Sequence, residues 1–140
     1  MEKKRVKFDY SAVVRDHARH PRNMGVIKNP DAAGIAGGPC GDEVEFFIKI
    51  GKRKEGKNEV EFIEDIKFET MGCAAAIATA STIGEMAIGK TLDEALKISY
   101  AEVAKELDGL PKEKMHCSVL SQQGLKAAIE DYKNKKGKAD

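Results

Sequence analysis

Hydrophobic and polar residues alternate along the first half of the chain. Apolar side chains occupy every second position of EVEFFIKI, namely Val44, Phe46, Ile48 and Ile50. The same period continues in EVEFIEDIKFET, where it breaks near Ile63, and the polar segment GKRKEGKN separates the two runs. A period of two is typical of a strand with one buried face, so these runs predict an antiparallel hairpin with a bulge. The glycine- and proline-rich segment NPDAAGIAGGPCG before them favours turns or a short edge strand around Ile35.

The rest of the chain has the spacing and the end signals of helices. Residues 74–84, AAAIATASTIG, carry no charge, which predicts a helix buried on most of its circumference. Gly89 is a candidate C-cap for this helix, and TLDE and SYAE each offer a capping box that opens a short helix. We expect the last helix to begin near Ser118, and a short first helix to begin at Ser11 and end near Pro21.

Strands grouped in the first half and helices in the second predict an α+β domain. We expect a small antiparallel three-stranded sheet with helices packed on one face. A chain of 140 residues fits a single domain over residues 1–140, long enough for a substantial core. Within it, residues from about 133 to 140 are expected to form a frayed basic tail.

Charge and cysteine content narrow the classes of function. Lysine and arginine total 24 and aspartate and glutamate 23, a net charge of +1, so no overall field attracts nucleic acid or a membrane surface. The N-terminal MEKKRVKFDY lacks the apolar core of a signal peptide, and no uncharged run is long enough to span a bilayer, so we expect a cytoplasmic protein. Three cysteines are a poor disulfide framework and suit metal binding or catalysis in a reducing compartment.

Each cysteine lies where an irregular segment meets a regular element. Cys40 precedes the hairpin, Cys73 opens the uncharged helix and Cys117 precedes the last helix, and such junctions can converge at one end of a sheet. Unpaired N–H groups and the macrodipole at a helix start lower the pKa of a thiol, which makes Cys73 a candidate ligand or nucleophile. Asp42 and His116 add an oxygen and a nitrogen donor. The whole set suits zinc or a small iron–sulfur cluster.

Other readings of these residues stay open. A single cysteine is more often a small core residue than a ligand, and the chain has no CxxC pair. Asp42 can be a turn former, and His116 an exposed residue before a helix. His116 and Cys117 could also be a nucleophile pair, although neighbouring side chains usually point in different directions. We expect His17 and His20 to be a surface pair outside the site.

Four motifs in order resemble the IscU/NifU N-terminal family of iron–sulfur cluster assembly scaffolds. They are YSAVVRDHARHPRNMG at the first helix, CGD at residues 40–42, GCAAAIATAS at residues 72–81, and HCSVL at residues 116–120 with KAAIEDY following. The resemblance covers nearly the whole chain. It implies a cluster scaffold and carrier rather than an enzyme.

The resemblance implies that Cys40, Cys73 and Cys117 bind the cluster, with Asp42 and His116 as exchangeable ligands. A transient [2Fe–2S] cluster is assembled there from iron and from sulfur supplied by a cysteine desulfurase, and it is then passed to apo iron–sulfur proteins. A frataxin-like protein and a ferredoxin are further partners of this kind of scaffold. Zinc can occupy the same pocket, and neither nucleic acid nor a membrane is expected as a partner.

One segment departs from the family pattern. Many members carry Leu-Pro-Pro-Val-Lys shortly before His-Cys, the stretch that a dedicated Hsp70-type chaperone binds, whereas this chain reads LPKEK at residues 110–114. Burying Lys112 and Glu113 in an apolar groove costs free energy, which argues against that chaperone as a partner. Lys114 matches the family's lysine. It is expected to be either a surface charge or a partner of Asp42 or Cys117 that supports the site.

The related SufU branch, a zinc-dependent sulfur acceptor, is the alternative reading. That branch has a longer insertion between the second and third cysteines and no histidine before the last one, whereas this chain has His116 and no room for the insertion. The scaffold reading therefore fits the sequence better. A third hypothesis is an interaction module with incidental cysteines, which predicts that replacing all three with serine leaves the activity of its partners intact.

Overall fold

A three-stranded antiparallel sheet forms the centre of the fold, as the alternating pattern predicts. The computed structural model describes residues 10–38 and 41–139. The strands, in the spatial order β1, β2, β3, are Ala32–Gly37, Glu43–Glu55 and Asn58–Met71. The register shifts between Lys49, which faces Asp65, and Ile50, which faces Ile63, so Glu64 is the additional residue of a β-bulge. The hairpin, its bulge and the edge strand are confirmed.

One helix precedes the sheet in the chain and four follow it within the described residues, and capping residues mark the starts of several of them. Within the described residues they are α1 Ala12–Arg19, α2 Ala74–Ala87, α3 Leu92–Leu96, α4 Tyr100–Glu106 and α5 Met115–Ala139, with a 3₁₀ turn at Lys112–Lys114. Ser11 caps α1. Complete capping boxes open α3, through Thr91 and Glu94, and α4, through Ser99 and Glu102, as TLDE and SYAE predict. These side chains satisfy N–H groups that a helix start leaves without partners.

One face of the sheet is buried beneath the helices. The inward-facing residues of β2 and β3 are almost completely buried, and they are Val44, Phe46, Ile48, Ile63, Ile66 and Phe68. Phe46 and Phe68 face each other across the strands with ring centroids 6.1 Å apart. α2 adds mainly alanines to the core, and small side chains let a helix lie close to its neighbours. The predicted α+β architecture is confirmed.

α5 lies directly against the backbone of the sheet. A Cβ atom on Gly34 of β1 would lie 2.1 Å from the backbone nitrogen of Ala128, and one on Gly124 of α5 would lie 2.9 Å from Cγ1 of Val44. Such contacts leave no space for a side chain at either glycine. Gly124 lowers helix stability by about 1 kcal/mol relative to alanine, and this close approach of α5 to β2 explains why it is there.

α5 begins earlier than the sequence predicted. The expected start near Ser118 is wrong, because the helix begins at Met115, directly after the 3₁₀ turn in which the Lys114 N–H donates to the Pro111 carbonyl at 2.8 Å. The Ser118 hydroxyl bonds back to the carbonyl of Met115 at 2.7 Å instead of capping a helix end. Cys117 therefore lies in the first turn of α5 rather than in front of the helix.

The basic tail is also ordered differently from the prediction. α5 continues to Ala139, so the expected frayed end from about residue 133 is wrong. Nζ of Lys136 lies 2.6 Å from Oε1 of Glu61 on β3, and the Tyr132 hydroxyl bonds the same carboxylate. These contacts fasten the end of α5 to the hairpin. Although α5 has 25 residues, no helix in the described part of the chain combines the length and the apolar character needed to cross a membrane.

His17 is buried, which contradicts its expected place in a surface pair with His20. Its Nδ1 lies 2.7 Å from Oγ of Ser81 on α2, and its Nε2 lies 3.3 Å from Oε1 of Glu85. Ser81 also accepts the backbone N–H of Arg22 at 2.8 Å. Burial lowers the pKa of His17, which favours the neutral ring. His17 thus joins α1 to α2 and serves the fold.

Candidate metal centre

Three segments bring candidate ligands together at one end of the sheet. Asp42 immediately precedes β2, Cys73 follows β3 as the N-cap residue of α2, and His116 and Cys117 lie in the first turn of α5. The first residue of β2 pairs with the last residue of β3, so these segments start from neighbouring positions. Cys40 lies outside the described residues, and its role stays a prediction from the sequence.

Short distances link the ligand atoms of four residues to the Cys117 sulfur or the Asp42 carboxylate. Sγ of Cys73 is 3.9 Å from Sγ of Cys117 and 4.0 Å from Oδ2 of Asp42. Sγ of Cys117 is 4.0 Å from the same carboxylate oxygen and 3.6 Å from Nε2 of His116. Asp42, His116 and Cys117 each offer a ligand atom within 4.8 Å of the other two. The adjacent residues His116 and Cys117 therefore point to the same place, although neighbouring side chains usually diverge.

These separations suit a bound metal. Ligands placed about 2.3 Å from a tetrahedral metal ion lie roughly 3.8 Å from one another. Two sulfur donors, a carboxylate and an imidazole also combine soft and hard ligands, a set that both iron and zinc accept. The arrangement can therefore bind a metal ion or the edge of a small cluster with little rearrangement.

Cys73 is the more acidic of the two thiols. A hydrogen bond from the Cys117 thiol lowers the pKa of Cys73 to about 5, against the opposing effect of burial. The backbone N–H groups of Ala76 and Ala75 and the charge of Lys114 act in the same direction as that bond. The hydrogen bond to the Cys73 thiolate, together with burial, raises the pKa of Cys117. The metal-free site thus holds one thiolate and one thiol at neutral pH.

Lys114 and Tyr10 flank the thiolate. Burial acts to lower the pKa of Lys114, but the charge of the Cys73 thiolate and a hydrogen bond to it raise that pKa above its usual value. The sequence offered Asp42 or Cys117 as the partner of Lys114, whereas its hydrogen bond goes to Cys73. Burial also raises the pKa of Tyr10, and the charge of Cys73 raises it further. Sequence reasoning missed Tyr10, because a tyrosine beside a helix cap carries no metal-site signal.

Gly72 makes room for Asp42 beside the thiols. A Cβ atom on Gly72 would lie 2.8 Å from Cβ of Ala76 and 3.3 Å from Cγ of Asp42. Both contacts are tighter than ordinary van der Waals contact, so a side chain at this position would displace the carboxylate. Close packing against Ala76 and Asp42 therefore explains why a glycine precedes Cys73.

We expect iodoacetamide to alkylate Cys73 well below neutral pH. In the Cys40→Ser protein only Cys73 and Cys117 remain, and the pKa of about 5 predicts that the rate at Cys73 rises with pH to a half-maximum there. An ordinary thiol reaches its half-maximum near pH 8.5, so the difference is roughly 3.5 pH units. Peptide mass spectrometry measures the profile, and the same protein unfolded in guanidinium chloride, in which both thiols are accessible, is the control. A profile for Cys73 like that of a free thiol would contradict the thiolate assignment.

Comparison with known proteins links the site to one family. Residues 9–139 match the family model described as NifU-like N terminal domain. Two Archaeoglobus fulgidus proteins, named iron-sulfur cluster assembly scaffold protein IscU 1 and IscU 2, are each 52% identical over 132 residues, which cover 94% of this chain and 81% of each relative. An Escherichia coli K12 protein, named iron-sulfur cluster assembly scaffold protein IscU, is 44% identical over 131 residues, 91% of this chain and 96% of the relative.

The fold is also found among solved structures. The N-terminal part of a nitrogen-fixing NifU-like protein from Brucella abortus matches with a TM-score of 0.64 over 89% of this chain and 94% of that chain. Its sequence identity is 19%, so the likeness concerns the fold alone. The same α+β arrangement is what brings β2, α2 and α5 together at the candidate site.

Proposed function

Because the chain belongs to the NifU-like N-terminal domain family, we propose that it is a non-enzymatic scaffold on which iron–sulfur clusters are assembled. Relatives that share about half of its sequence are named as such scaffolds. The observation that carries the proposal is the convergence of Cys73, Cys117, Asp42 and His116, with the two sulfur atoms 3.9 Å apart.

The proposed ligands are Cys40, Cys73 and Cys117, with Asp42 and His116 as the exchangeable members of the set. The cargo is a transient [2Fe–2S] cluster, built from iron and sulfur and then released. Support for the exchangeable role comes from chemistry, because a carboxylate binds iron less tightly than a thiolate and leaves more readily. Zinc is a further occupant that the mixed donor set accepts.

Of the two thiols that the structure describes, Cys73 is the better suited to receive sulfur. Its thiolate attacks the terminal sulfur of a cysteine persulfide on the donor, a new S–S bond forms at Cys73, and the donor cysteine leaves as a thiolate. The exchange conserves electrons, so the later reduction of this sulfur to sulfide needs a reducing partner. Lys114 forms a hydrogen bond to the Cys73 thiolate, and its positive charge stabilises the negative charge on the sulfur.

The proposed partners follow from this chemistry. A cysteine desulfurase supplies sulfur, a ferredoxin supplies electrons, a frataxin-like protein assists assembly and apo iron–sulfur proteins receive the cluster, all in the cytoplasm. The segment before His116 argues against a dedicated Hsp70-type chaperone as a further partner. Lys112 and Glu113 are exposed charges in a 3₁₀ turn, and an apolar groove that takes an extended peptide would have to unwind this turn and bury both charges.

Anaerobic incubation with ferrous iron, cysteine and a cysteine desulfurase tests the proposal. We expect a red-brown species that contains iron and sulfide in equal amounts. The SufU-like alternative is favoured by the same mixed ligand set, and it predicts tightly bound zinc and a persulfide on cysteine with no colour. Visible absorption, metal analysis and mass spectrometry of the protein distinguish the two outcomes, and a colourless protein without persulfide contradicts both.

Replacing Asp42 with alanine is expected to slow the release of a bound cluster. The carboxylate is the most readily exchanged ligand, so its loss removes the easiest route for an incoming thiolate. An increase of about 1.4 kcal/mol in the barrier slows transfer roughly tenfold. Circular dichroism of the cluster follows its transfer to apo-ferredoxin, and Glu43→Ala, which removes the neighbouring carboxylate, is the control. Faster transfer by the Asp42→Ala protein would contradict the exchangeable role.

A further inference from the structure

A buried hydroxyl network connects α2 with α5 near the two thiols. Oγ1 of Thr79 on α2 lies 2.8 Å from Oγ of Ser121 on α5, 3.1 Å from the carbonyl oxygen of Ala76 and 3.3 Å from that of Cys117. Thr79 is 0% exposed and Ser121 is 1% exposed. The network therefore bonds one helix to the other in surroundings from which water is excluded.

Each end of this network reaches the backbone of a helix start that carries one of the two thiols. Ala76, whose carbonyl Thr79 contacts, lies in the first turn of α2, directly after the N-cap residue Cys73 and its neighbours Ala74 and Ala75. On the other side, the hydroxyl contacts the carbonyl of Cys117 itself. Ala75, Ala76 and Cys117 form a small buried cluster of their own, apart from the main core. The Thr79 hydroxyl thus links the first turn of α2, which Cys73 opens, with the backbone of Cys117 on α5.

We propose that Thr79, together with Ser121, is a positioning residue that sets the separation of the Cys73 and Cys117 sulfur atoms. None of the hydrogen bonds of Thr79 among the described residues goes to a sulfur atom. Thr79 acts by fixing how far α2 can slide or turn against α5. The inference deepens the proposed function, because a scaffold that presents its thiols at ligand spacing before iron arrives loses less entropy when the metal binds.

The count of protons explains why hydrogen bonds can enforce one arrangement. A threonine hydroxyl has one proton and two lone pairs, so Thr79 donates to the carbonyl of Ala76 or of Cys117 and accepts from Ser121. A buried hydroxyl left without a partner costs free energy, which disfavours any offset of the two helices that breaks the network. An apolar side chain of the same shape, such as valine, would fill the space and tolerate several offsets. The hydroxyl, rather than the volume of the side chain, supplies the specificity.

Binding of phenylarsine oxide to the metal-free protein measures this pre-positioning, since one arsenic atom bridges two thiols. In the Cys40→Ser background the compound can bridge only Cys73 and Cys117. We expect Thr79→Val to weaken its affinity about three- to tenfold, the range that a hydrogen bond contributes. Ser121→Ala should weaken it in the same direction, and Thr79→Ser, which keeps the hydroxyl, should restore it. Isothermal titration calorimetry gives each dissociation constant.

Thr82→Val is the matched control. Thr82 lies on the same helix and its hydroxyl is buried, but it has no hydrogen-bond partner among the residues that the structure describes. The same substitution there should leave the arsenical affinity unchanged. Melting temperatures of all variants are recorded, so that loss of stability is separated from loss of positioning.

Two results would overturn the proposal. If Thr79→Val melts at a lower temperature but binds the arsenical as tightly as its parent, the hydroxyl only stabilises the fold. If Thr79→Ser binds as weakly as Thr79→Val, shape matters rather than the hydroxyl. Should Thr79→Val not fold, Ser121→Ala decides in the same way. The assay needs neither iron nor a desulfurase, so its outcome is independent of whether cluster assembly itself is observed.

Discussion

The Cys73→Ser protein is expected to stay colourless after anaerobic reconstitution, with iron and sulfide at background levels. The thiolate at the start of α2 is the strongest nucleophile and iron ligand that the described residues offer, since its pKa is lowered to about 5. A serine hydroxyl keeps its proton at neutral pH and is a poor ligand for iron. Replacing the Cys73 sulfur also removes one of the hydrogen-bond partners of the Cys117 thiol. We therefore expect complete loss of the cluster rather than a weaker one.

Ala74→Ser is the control for this experiment. It adds a hydroxyl at the next position of the chain while keeping all three thiols, and it should assemble a cluster as the wild type does. Far-UV circular dichroism checks that both proteins are folded. Cys40→Ser and Cys117→Ser are expected to behave like Cys73→Ser. A normal cluster in the Cys73→Ser protein would refute the proposed ligand set.

The features of the fold that the sequence predicts correctly have local causes. A capping box is formed by residues three positions apart. Thr91 with Glu94 and Ser99 with Glu102 therefore predict the starts of α3 and α4 from the local sequence alone. The period of two along the hairpin is equally local, and its break near Ile63 marks the bulge. These local preferences predict the structure correctly because the tertiary packing favours the same helices and strands.

The features that the sequence misses depend on distant residues. Ser118 has the residue type of an N-cap, but the turn that follows Pro111 starts the helix earlier. The neighbours of His17 in the sequence are those of an exposed residue. Its ring is buried because it contacts Ser81 and Glu85 of α2, more than 60 positions further along the chain. No local pattern carries such contacts.

The candidate site also combines features that the sequence predicts with features that depend on contacts between distant residues. A cysteine at a helix start is a local feature, and it predicts the direction in which the pKa of Cys73 shifts, although the largest cause is the hydrogen bond with Cys117 on another helix. The donor residues beside the cysteines, together with the resemblance to a known family, pointed to Asp42, His116 and Cys117, which the structure brings within reach of one another. Which thiol keeps the proton depends on distances across helices, and so does the Thr79 network. The sequence cannot supply those distances.

Gly34→Ala is expected to destabilise the whole protein severely. The added Cβ atom would lie 2.1 Å from the backbone nitrogen of Ala128 and 2.4 Å from the backbone carbon of Ala127. Backbone atoms cannot rotate away as a flexible side chain can, so α5 as a whole must move off β1. Overpacking of this kind costs about 3 kcal/mol or more, which corresponds to a fall in melting temperature of roughly 10 °C. Thermal unfolding followed by circular dichroism measures it.

Gly37→Ala separates this clash from the general effect of replacing a strand glycine. Gly37 lies on the same strand, and a Cβ atom there would be 3.5 Å from Cγ of Glu43, an ordinary contact. We expect its melting temperature to stay close to that of the wild type. Because α5 carries His116 and Cys117 in its first turn, its displacement in Gly34→Ala should also weaken binding of an arsenical to Cys73 and Cys117 in any folded fraction. A Gly34→Ala protein as stable as Gly37→Ala would mean that α5 does not lie directly against β1, and the link from the sheet to the thiols of α5 would fail with it.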